Sequence, residues 1–95
     1  MTRPKATAEN LIDDDRVRVT RFEFAPGAET GWHRHDLDYV ITALTDCRML
    51  LEEPGGETRE AVVPAGTVYR RHKGVEHNVI NGGEAPMSFV ETELK

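Results

Sequence analysis

His33 and His35 stand two residues apart, just after a turn built on Pro26 and Gly27. On extended backbone, alternate side chains share a face, so the two imidazoles aim at one point. On a helix, residues two apart point about 200° around the axis from each other. Two neutral imidazoles converging from one strand form half of a transition-metal site. The rest of the chain must supply the other half and a dry pocket around it. His77 taken alone follows a turn and reads as a structural donor to backbone.

The elements that must position these residues are short strands. Leu11-Ile12 ends in the turn Asp13-Asp14-Asp15, and from Arg16 the sequence alternates with Val17 and Val19 on one face. Phe22 and Phe24 continue in the opposite phase, which calls for a β-bulge near Thr20-Arg21 or for a strand buried on both faces. Tyr39 to Leu44 is β-branched and apolar, Thr45-Asp46-Cys47 reads as a hairpin turn, and Arg48 to Glu53 follows. Pro54-Gly55-Gly56-Glu57 is the strongest turn signal. Strands then follow at Thr58 to Val63, Thr67 to Arg71, His77 to Ile80 and Met87 to Leu94, separated by Gly-containing turns. No segment keeps helical apolar spacing for three turns. Short, evenly spaced strands punctuated by Gly and Pro predict an all-β sandwich or barrel. The chain divides into an N-terminal arm, residues 1–10, either loose or paired across a dimer, and one β domain, residues 11–95.

Gly27, His33 and His35 fit the pattern G-x5-H-x-H, and Gly66, Gly74, His77 and Asn81 fit G-x5-P-x-G-x2-H-x3-N apart from its proline. Either pattern alone is weak. Both in order in an all-β chain resemble the cupin superfamily, over nearly the whole domain. The resemblance implies a double-stranded β-helix, the small RmlC-like jelly-roll barrel, with a divalent metal inside. It implies His33, His35 and His77 as ligands, and Asn81 as the cap of the turn after His77. Two positions depart from the pattern. The first motif's glutamate falls on Tyr39, which shares the histidines' phase, while the neighbouring Asp38 would need a bulge to turn inward as a fourth ligand. His72 replaces the second motif's proline. The runs Phe24–His33 and Gly74–Asn81 look similar to small single-domain cupins linked to β-alanine degradation.

Among the remaining candidates, one of Arg70 and Arg71 faces inward and could clamp a substrate carboxylate with a forked pair of hydrogen bonds. Val68 and Tyr69 fix no phase between them. His72 could act as acid or base at the cavity mouth, but reads more simply as solvated. Tyr39 is placed to orient substrate. Trp32 could rim the pocket, Phe24 packs in the core, Glu91 on the last strand could turn a carboxylate inward but reads more simply as one of several surface acids, and Cys47 reads as an incidental thiol.

The chain has 95 residues, one domain's worth, with a net charge of −5 and no basic stripe interleaved with aromatics. That argues against nucleic acid as a partner. No apolar run approaches a membrane span, the N-terminus lacks a signal peptide's hydrophobic core, and one cysteine points to a reducing cytoplasm. Strands apolar on both faces in so small a domain predict a homodimer. The expected activity is that of a metal-dependent enzyme, such as a dioxygenase, on a small organic or amino acid-derived carboxylate. The alternative is a non-catalytic cupin that binds metal or a small ligand as a sensor or accessory protein. Imidazole ligands suit Fe, Mn, Ni, Cu or Zn without separating them.

Overall fold

A computed structural model describes residues 2–95. Nine strands form two sheets: β1 (Thr7–Asp13), β2 (Val17–Phe24), β3 (His33–Arg34), β4 (Asp38–Ala43), β5 (Cys47–Glu53), β6 (Glu57–Val63), β7 (Val68–Arg71), β8 (Glu76–Asn81) and β9 (Met87–Leu94). One sheet has five strands in the order β1-β2-β9-β4-β7, and the other has four in the order β3-β8-β5-β6. All named pairings are antiparallel. The only helical turn among the described residues is the three-residue Pro54–Gly56.

The core lies between the sheets. Phe24, Ile41, Ala43 and Phe89 face inward from the five-stranded sheet, and Met49, Leu51 and Val79 meet them from the other. Phe89 is flanked by Phe22 and Phe24, with ring centroids 5.6 and 5.4 Å away, an aromatic cluster within the core.

Of the two explanations for the phase break in β2, the bulge is excluded, because its register with β9 runs unbroken from Val17 to Phe24. The strand is half-buried along most of its length, so apolar residues are tolerated on both faces. The bulge lies in β1, between Asn10 and Ile12. Thr45-Asp46-Cys47 is not a hairpin turn either. β4 and β5 belong to different sheets, so this segment carries the chain across the barrel, with Asp46 Oδ1 accepting from the Ala65 N–H at 2.9 Å. Cys47 opens β5 and is buried. At the N-terminus, residues 7–10 are part of β1 and pair with β2 of the same chain, where the ladder offers their backbone groups partners. Ala6 and Pro4 are tied to Glu29 by backbone hydrogen bonds.

Candidate metal centre

β3 and β8 bring the histidines together. They pair in the register His33↔His77, so these side chains are direct neighbours on the inner face. His35 lies just past β3, but its backbone is still tied to the β7–β8 turn. Its N–H donates to Val75 O at 2.8 Å, and its carbonyl accepts from the Gly74 N–H at 2.7 Å. Gly74 makes that turn with φ +97°, a conformation L side chains rarely adopt. The same alternation carries Tyr39 inward.

His35 Nε2 lies 3.1 Å from His33 Nε2 and 3.1 Å from His77 Nε2. The three donor atoms all fall within 4.8 Å of one another. With metal–nitrogen bonds of about 2.1 Å, donors at right angles around one ion sit about 3.0 Å apart. His33 Nδ1 lies 2.8 Å from the Gly31 carbonyl, a contact that keeps its proton on Nδ1 and leaves the Nε2 lone pair free. Burial, and then the neighbouring imidazoles, push His35 down to about 4 and His77 down to about 3. The His35 and His77 rings are therefore neutral at pH 7, and three ring nitrogens converge at hydrogen-bonding distance. A cation at their centre suits that convergence, so the residues fit a transition metal.

The remaining candidates scatter. Tyr39 stacks on His35, with ring centroids 3.8 Å apart at 16°, and its hydroxyl is buried with no partner among the described residues. Desolvation drives that phenol above its ordinary value, which makes it a proton donor rather than a ligand. Asp38 begins β4 in the opposite phase. Its Oδ1 accepts from the Lys73 N–H at 2.8 Å, so the nearest carboxylate in sequence is turned away from the cluster and capping a turn. Arg71 lines the inner cavity, whereas Arg70 is exposed on the other face of β7. Strand alternation thus decides between them, with Tyr39↔Arg71 and Val40↔Arg70 as partners. The His72 side chain is 80% exposed and stands beside Asp38, outside the cavity. Trp32 is exposed and Phe24 is in the core. Asn81 caps the turn after β8, its Oδ1 accepting from the Gly83 N–H and its Nδ2 donating to Ala85 O.

The cavity beside the histidines has a volume of about 200 Å³, with apolar walls from Ile41, Met49, Leu51 and Phe89. Glu91 takes the inward of its two sequence readings: it is buried in this cavity, and desolvation ahead of Glu93's charge pushes it up to about 7. Its place two residues after the core residue Phe89 was the available signal. Asn78 is also buried. Its Oδ1 accepts from the Gly31 N–H at 2.9 Å, and its Nδ2 donates to Glu29 and Glu52, pinning the loop that carries His33.

The family model described as Cupin domain matches residues 20–93. The chain belongs to the cupin family. This cupin is 53% identical over 93 residues to the beta-alanine degradation protein BauB of Pseudomonas aeruginosa, covering 98% of this chain and 97% of that one. It is also similar to a crystallised cupin domain from Bordetella pertussis, at 47% identity and a TM-score of 0.95, covering 100% and 98% of the two chains. The polyketide cyclase RemF of Streptomyces resistomycificus superposes with a TM-score of 0.74 at 27% identity, over 99% of this cupin and 70% of the cyclase. The double-stranded jelly-roll fold is thus shared with solved cupins.

Proposed function

We propose that this cupin holds one divalent transition-metal ion on His33, His35 and His77 and is an enzyme acting on a small organic or amino acid-derived carboxylate. The observation that carries this reading is the convergence of three imidazoles on a cavity with apolar walls that also contains Arg71. No ion pair engages Arg71 among the described residues. An ion held by neutral ligands keeps its full charge and open positions, supplying Lewis acidity or, as iron, dioxygenase chemistry.

The chain's own residues do the rest. Arg71 receives the substrate carboxylate in a forked pair of hydrogen bonds. Apolar walls exclude water and strengthen that contact. Tyr39 fixes the His35 ring by stacking, and its unpaired hydroxyl is the donor available to a bound substrate. The buried free thiol of Cys47 supports a reducing, cytoplasmic setting. No helix is long and apolar enough to cross a membrane.

The outer face of the five-stranded sheet supports a homodimer. Val17 and Val19 of β2, Val40 of β4, and Val90 and Leu94 of β9 share that face, with pairings such as Val40↔Thr92 and Val17↔Leu94. A solvent-facing sheet normally alternates to polar side chains there.

The test of the enzyme is oxygen uptake by iron-loaded protein with a panel of small carboxylates. β-Alanine and its three-carbon derivatives belong in the panel because the Pseudomonas relative is named for that pathway. Turnover should vanish in His77→Ala, and Arg71→Met should raise KM at least about tenfold, the loss of one charge-assisted contact. Fully loaded protein inert toward every compound would overturn the enzyme in favour of a binding or accessory role.

A further inference from the structure

The first cupin motif expects a carboxylate at position 39, and this chain has a tyrosine there whose ring is committed to His35. Asp38 is bound to the Lys73 N–H and cannot substitute without breaking that turn. Three imidazoles alone leave the ion's two positive charges unneutralised in a cavity of low dielectric. We propose that Glu91 supplies the missing carboxylate from β9, facing the open side of the ion and holding whatever ligand occupies it, one atom further out than the histidines. This rests on the three-histidine reading above.

Glu91 pairs across the sheet with Thr20 on β2 and Ile41 on β4, which places it in an inner row one step from Tyr39 and Glu93. Its Oε1 lies 3.9 Å from His35 Nε2. That exceeds the 3.1 Å between imidazole nitrogens, and Glu91 falls outside the set of donors within 4.8 Å of one another. Those distances fit a carboxylate at one remove from the ion. Its side chain is buried and has no hydrogen-bond donor among the described residues. The contrast with Glu93, two residues along on the same inner face, is informative. Arg18 holds that carboxylate through two hydrogen bonds of 2.8 Å each. One buried acid of the pair is therefore satisfied by the fold itself, and the other is left facing the metal centre. A buried carboxylate with no cation destabilises the metal-free fold, so its position in the cavity points to a cationic partner there.

The experiment measures zinc affinity by chelator competition and the thermal midpoint of metal-free protein for wild type, Glu91→Gln and Asp38→Asn. Glu91→Gln is expected to weaken zinc binding about 10- to 100-fold, the usual cost of losing a partner to a metal's ligands. Its metal-free midpoint should equal or exceed that of wild type. Asp38→Asn should bind zinc as wild type does. X-ray absorption of the zinc-loaded forms should show the same coordination number in wild type and Glu91→Gln. Unchanged zinc affinity in Glu91→Gln overturns the proposal, and a coordination number lower by one overturns the arrangement at one remove. If wild type itself takes up no zinc, cobalt or iron, the three-histidine reading has failed and takes this one with it.

Discussion

Protonation decides what each histidine can do. His33 keeps its proton on the nitrogen facing the Gly31 carbonyl, and His35 and His77 stay neutral because the barrel wall removes water from around them. The consequence for stability has a definite sign. Both buried histidines have native values below their unfolded value of about 6.5, so the unfolded chain binds more protons once the pH drops below that. Glu91 works in the opposite direction, since its value rises to about 7 in the fold and its burial costs the native state more as the pH rises from the ordinary carboxylate range to neutrality. Two histidines outweigh one carboxyl. Metal-free protein should therefore lose stability as the pH falls from about 6.5 to 4, by roughly 1 kcal/mol per pH unit. Glu91→Gln removes the opposing contribution and should make that slope steeper. Urea unfolding at a series of pH values measures both, and a flat profile across this window would contradict the burial of the pair.

At the scale of elements, the loop before β3 matters more than its lack of regular structure suggests. Its anchor is Asn78 on β8, reinforced by Thr30 Oγ1, which accepts from the Val79 N–H at 3.1 Å. Asn78→Ala removes no ligand, yet it leaves the Gly31 N–H without its acceptor and takes one donor from each of Glu29 and Glu52. A loss of about 1–3 kcal/mol is expected. That corresponds to a midpoint lower by several degrees in a domain of this size. Because Gly31 orients His33, zinc affinity should fall in the same variant. A stability loss with metal binding intact would show that the loop is not what aims His33. The same element view separates the two readings of β2. A phase break requires a bulge only if one face is wet, and in β2 neither is fully so.

For the whole molecule, the open question of size is carried by the outer sheet face. The valines there are half-buried by their neighbours within one chain. A second copy laid on them would bury the remainder. Sedimentation should give twice the 10.7 kDa of one chain, and Val90→Lys, central on that face, should return the mass to one. A wild-type species at 10.7 kDa would dismiss the dimer.

The order of motifs and the period-two patterning determined most of the architecture, because strand alternation and turn chemistry are local properties. The convergence of His33 and His35 was legible for that reason, and His77 joined them through its spacing from Gly74 and Asn81. The tertiary structure alone decided which arginine faces inward, that Asp38 caps a turn, that the segment after β4 crosses between sheets, and that Glu91 is a cavity acid. Each of these depends on which strands become neighbours in the sheets. A strand's own sequence records two faces, but only its packing determines which one is shielded from water.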